Sequence, residues 1–78
     1  MDNFLKLLNS AHKIAVTCET PAGSMTSGGE ILSYHVENGE MEIDTDHFYL
    51  ILDVVKADFG ENGDTIKYGD TVYTFDFS

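Results

Sequence analysis

Carboxylates are the residues with most chemistry to offer. Asp58, Asp64, Asp70 and Asp76 recur every six residues, and Gly63-Asp64-Thr65 and Gly69-Asp70-Thr71 repeat one triplet. This spacing invites a calcium reading, but calcium-binding nonapeptide repeats have another period and more glycine. Aspartates that bond their own backbone at turns account for it better. Asp44, Asp46 and His47 form a loose potential ligand group that a bend before a strand explains as well. The histidines, His12, His35 and His47, show neither helical nor finger spacing. Cys18 is the only cysteine, which excludes an internal disulfide and reads as a small core residue. No serine or cysteine has a base beside it in sequence. Pairs of carboxylates are so frequent in this chain that pairing carries no information. Gly28-Gly29 is followed by no lysine and opens no helix, so it is no phosphate-binding loop. These residues predict no enzyme, no cofactor and no metal site.

The charge balance speaks to partners instead. The net charge is −10, from 14 acids against 4 basic residues, all lysine. From Glu30 onward the acids face only Lys56 and Lys67. Such a surface repels nucleic-acid phosphate and excludes direct DNA or RNA binding. It suits a basic protein partner. Met1-Asp2-Asn3 opens without a basic region, and no apolar run is long enough to span a bilayer, so synthesis in the cytoplasm is expected. At 78 residues, one domain covers 1–78, and a chain this short is marginally stable unless it assembles.

The elements that position these residues read mostly as β-structure. Asp2 to about His12 is a helix with Phe4, Leu5, Leu7, Leu8 and Ala11 on one broad face and Asp2 or Asn3 as its cap. Lys13–Thr20 alternates as a half-buried strand, with Ile14, Val16 and Cys18 inward. Pro21–Gly29 reads as a long loop of small residues, the kind that binds partners or orders on assembly. Glu30–Glu37 is a strand with Leu32, Tyr34 and Val36 on one face. Asn38-Gly39 is a hairpin turn, and Glu40–Asp44 returns with Met41 and Ile43 inward. Glu37, Glu40, Glu42 and Asp44 then project outward as one acidic hairpin. His47–Val55 is nearly all apolar and reads as a strand buried on both faces, with the alternative that Tyr49 and Ile51 meet a neighbouring subunit. Asp64–Tyr68 and Thr71–Phe77 form a last hairpin around Gly69-Asp70. Together they predict an α+β domain: one short N-terminal helix on a curved antiparallel sheet, or a small partly open β-barrel, of about five strands.

The final hairpin carries a family resemblance. The segment Gly63-Asp64-Thr65-Ile66-Lys67-Tyr68-Gly69, followed by Tyr73, resembles one near the C-terminal end of the lambda-type head–tail joining proteins of tailed bacteriophages. The apolar strand Phe48–Val55 and linker Lys56–Asn62 precede it in the same order. Upstream, the helix, the first strand, the Pro21–Gly29 loop and the Asn38-Gly39 turn also follow that order. The resemblance implies a structural virion protein without catalytic residues. Such a connector forms a ring below the portal and offers the tail its attachment surface. Its partners would be portal or adaptor proteins, tail proteins and copies of itself. It would reside in the host cytoplasm during assembly and afterwards in the virion. Candidate contact residues are Ser24, Met25 and Thr26 in the loop and Glu37, Glu40, Glu42 and Asp44 on the acidic hairpin. The rival expectation is a small acidic phage inhibitor of anti-defence type, which mimics nucleic acid and blocks a basic nucleic-acid-binding site.

Overall fold

The computed structural model describes residues 1–78. One helix, α1 (Asp2–Ser10), precedes seven strands: β1 (Lys13–Thr20), β2 (Gly23–Glu37), β3 (Glu40–Thr45), β4 (Tyr49–Asp53), β5 (Asp58–Phe59), β6 (Thr65–Tyr68) and β7 (Thr71–Phe77). They form one antiparallel sheet in the order β4-β3-β2-β1-β7-β6-β5. The expected helix on a curved antiparallel sheet is what forms. The strands number seven, and the sheet is not closed into a barrel, because β4 and β5 remain its two unpaired ends.

The long strand β2 makes the sheet curl. Its first half pairs with β1, from Thr20↔Gly23 to Lys13↔Glu30. Its second half pairs with β3, from Ile31↔Thr45 to Glu37↔Glu40. Pro21–Gly29 is therefore no flexible loop: Pro21-Ala22 makes a tight turn and the rest is strand. A period-2 reading misses it because Gly, Ser and Thr leave no hydrophobic alternation. The β1 template supplies the register, and the Thr17 and Thr26 hydroxyls pair across it at 3.0 Å. At Gly29 a Cβ would fall 2.5 Å from Asp46 Oδ1. Glycine there lets the turn after β3 sit directly against β2.

A bulge between Ile31 and Ser33 changes the predicted faces of β2. The extra residue, Leu32, is pushed outward and is 62% exposed. Ile31 takes its place beside the core, while Tyr34 and Val36 stay opposite Ile43 and Met41 as expected. The helix also departs from expectation at its start. Neither Asp2 nor Asn3 caps it; Asn3 donates its side-chain amide to the Glu61 carbonyl instead, at 3.0 Å.

The core lies inside the curl. Ile14, Val16, Ile66 and Phe75 from one wing meet Met41, Ile43 and Leu52 from the other, and α1 closes the gap with Phe4 and Leu8. Phe4 is fully buried, with its ring edge-on to Phe59, Phe75 and Phe77 at centroid distances of 5.9, 4.8 and 5.5 Å. Burial of Phe4 and Leu8 contributes about 1.5–3 kcal/mol each, which is what a nine-residue helix needs in order to persist. The wings are tied by Tyr68, whose hydroxyl donates to the Asp53 carbonyl at 2.6 Å.

Candidate interaction face

The outer face of β2–β3–β4 gathers the acidic residues. Met41, Ile43 and Thr45 are buried, so strand alternation sends Glu40, Glu42 and Asp44 to the opposite side. Pairing adds neighbours in three cross-strand rows: Glu37–Glu40–Asp53, His35–Glu42–Ile51 and Ser33–Asp44–Tyr49. The Asn38-Gly39 turn fixes this register, with both residues at positive φ, 53° and 79°. The candidates Glu37, Glu40, Glu42 and Asp44 therefore share one face, joined by Asp53. Asp53 carries no separate signal in the sequence, since the apolar run around it reads as a strand buried on both faces.

Few cations balance this face. His35 Nε2 lies 2.6 Å from Glu42 Oε2, a contact that becomes ionic when the imidazole is protonated. No lysine comes within 4.0 Å of any of these carboxylates. Glu37 and Glu40 stand directly opposite each other. Like charges placed directly opposite on paired strands are destabilising, by about 0.2–1 kcal/mol. The same field acts on Tyr49. Its phenol is held above its ordinary pKa, first by a hydrogen bond to Glu42, then by desolvation and by the charges of Glu42, Asp44 and Glu40.

Beside the acids runs the free edge of β4. The expected double burial of His47–Val55 does not occur: Leu50 and Leu52 point inward, but Tyr49 and Ile51 are 55% and 51% exposed. The reason is that the core lies on the inner face of the sheet alone, so the outward side chains of β4, like those of β3, stay in solvent.

Ser24, Met25 and Thr26 do not join this face. They sit on the first half of β2 beside β1, with Thr26 against Thr17 on the sheet's outside and Met25 opposite Cys18 on its inside. Met25 is 72% exposed at the open end of the curl. There a mostly apolar cavity of about 190 Å³ lies between Val16, Cys18, Met25 and Tyr73 on one side and Phe48, Tyr49 and Leu50 at the start of β4 on the other, with Ser27 beside them. Cys18, expected in the core, is half-buried at this opening with a free thiol.

The two spacings that invite a metal reading do not gather their residues. Asp58 and Asp76 stand on strands rather than at turns, and no three His, Cys, Asp or Glu side chains cluster. Asp46 has a structural task, accepting the Glu30 amide at 2.7 Å through Oδ1. No helix is long and apolar enough to cross a membrane.

No family model, curated protein or solved structure matches the chain. The arrangement of charge, edge and exposed side chains on β2–β3–β4 therefore carries the functional argument by itself.

Proposed function

We propose that the protein is a non-catalytic binding module that docks the acidic face of β2–β3–β4 on a basic surface of a partner protein. One observation carries this reading: Glu37, Glu40, Glu42, Asp44 and Asp53 share a face on which only His35 offers a cationic partner. Asp53 has a structural task, since its Oδ1 accepts the Val55 and Lys56 amides at 2.9 and 3.3 Å, but Glu37, Glu40 and Asp44 have none; keeping like charges together opposes folding, so a use in recognition explains their placement better than stability does.

In the setting that the resemblance implies, the partners are portal or adaptor and tail proteins of a bacteriophage, and copies of the chain form a ring in the virion. The first half of β2 pairs with β1 alone and leaves its other edge open, a surface on which head-to-tail contacts between copies can be built. The long loop expected at Pro21–Gly29 has no counterpart, because that segment is a turn and a strand. The second reading is the acidic inhibitor. It is favoured by carboxylates at Glu40, Glu42 and Asp44, two residues apart along β3 and so about 6.8 Å from one to the next.

The test is a triple variant, Glu40→Gln, Glu42→Gln and Asp44→Asn, compared with the unaltered chain. Native mass spectrometry with purified portal and tail-completion proteins reads the first setting. Competition with DNA for a nuclease reads the second. Binding in either assay that is lost in the variant and weakens steeply with salt supports the acidic face. Undiminished binding by the variant refutes it.

A further inference from the structure

Strand geometry shows how that face can hold its partner. The β3–β4 turn is closed by the Thr45 amide donating to the Phe48 carbonyl, at 2.9 Å, and the far end by the Val54 amide donating to the Gly39 carbonyl, at 3.0 Å. Between these bonds, alternation turns the backbone groups of Leu50 and Leu52 toward β3. Those of Tyr49, Ile51 and Asp53 point away. The Asp53 carbonyl is taken by Tyr68. The amides of Tyr49, Ile51 and Asp53 and the carbonyls of Tyr49 and Ile51 remain on an edge with no neighbouring strand.

This edge lacks the usual protection. Soluble proteins blunt an edge with Lys, Pro, a bulge or extreme shortness. The β5 edge has only two residues. The β4 edge has five, Tyr49–Asp53, with no lysine or proline, and its ladder to β3 runs without a register break.

We infer that β4 accepts an extended segment of a partner protein as an added strand, and that this segment alternates basic with apolar residues. The inference rests on the acidic-face reading above and gives it a binding mode. Charge selects the occupant. On the outer face, an added residue lies next to Tyr49 or Ile51, with Asp44 and Glu42 one strand further in. A Lys or Arg stem crosses the exposed ring of Tyr49 or the side chain of Ile51 and brings its charge to those carboxylates. On the inner face, the intervening residues of the added strand extend the apolar surface of Leu50 and Leu52. A second copy of this chain is a poor occupant, since its β4 carries no basic residue and each copy has a net charge of −10. Strand addition supplies affinity through the backbone and specificity through alternate side chains.

The probe is a synthetic ten-residue peptide alternating arginine and valine, titrated into the full chain by NMR. A second peptide of the same composition is N-methylated on alternate residues to block one ladder edge. The expected result is at least tenfold weaker binding of the methylated peptide, with Tyr49 and Ile51 amides slowed in hydrogen exchange by the unmodified one. Ile51→Pro removes one outward amide without touching the β3 ladder and weakens binding at least tenfold. Glu42→Gln with Asp44→Asn also weakens it tenfold and flattens the salt dependence. Equal binding of both peptides, weakened by the charge variant but without amide protection, overturns strand addition and leaves the acidic-face reading standing. Binding insensitive to the charge variant defeats both. Protection of Tyr49 and Ile51 that grows with protein concentration in the absence of peptide makes a second copy the occupant and overturns the inference.

Discussion

Two glycines at positive φ separate backbone conformation from backbone contact. Gly63 has φ +82° and Gly69 has φ +53°. A Cβ at Gly69 meets nothing within 4 Å, whereas one at Gly63 lies 2.8 Å from Asn3 Cβ, 2.9 Å from the Asn3 carbonyl carbon and 3.0 Å from the Phe4 amide nitrogen. Gly69→Ala therefore costs only the left-handed conformation, about 1–2 kcal/mol. Gly63→Ala costs that and also displaces the first turn of α1, which adds about 1–3 kcal/mol by analogy with overpacked cores. The total, about 2–5 kcal/mol, is a large share of the roughly 4–12 kcal/mol expected for a chain of this size. Thermal unfolding followed by circular dichroism measures it. Gly63→Ala is expected to melt about 4–24 °C below Gly69→Ala, at 4–8 °C per kcal/mol. Asn3→Gly should not restore Gly63→Ala, because two of the three close atoms are backbone. Equal losses in the two alanine variants would refute the claim that direct backbone approach docks the helix.

The other predictions concern charge and pH. Glu37→Gln with Glu40→Gln relieves a directly opposed like-charge pair and should stabilise the fold by about 0.2–1 kcal/mol in dilute buffer. In 1 M salt the gain should vanish in urea titrations, since screening there acts within about 3 Å; a gain that survives salt argues against repulsion. Tyr68 and Tyr73 have phenols raised first by burial, and Tyr49 is raised by its bond to Glu42. A raised acid keeps its proton longer in the folded state. The unfolded chain therefore ionises first, and the associated stability is present below about pH 10 and is lost above it. The urea midpoint should fall between pH 9 and pH 11, and less steeply in Tyr68→Phe. That variant also loses about 0.5–1.5 kcal/mol at neutral pH with the bond to Asp53. A midpoint unchanged across this range would contradict the assigned phenol environments.

The local pattern specified much of the chain. Alternation in Lys13–Thr20 and Glu40–Asp44, the 3.6-residue spacing of Phe4 and Leu8, and the Asn38-Gly39 turn each admit one conformation. The structure contains all of them. The acidic hairpin was legible for the same reason. With Met41 and Ile43 inward, the period of two leaves Glu40 and Glu42 no other side.

Only tertiary structure decided the rest, because it depends on neighbours that no local window contains. Gly23–Gly29 becomes strand through pairing with β1, although its small side chains carry no signal. The bulge at Leu32 reverses part of a face, since a register slip of one residue sends side chains to opposite sides. An apolar run such as Phe48–Leu52 suits burial on both faces; the core covers only the inner face of the sheet, which exposes Tyr49 and Ile51 instead. Sequence thus determined that this protein has an acidic face. The order of strands determined that an open, apolar edge lies beside it.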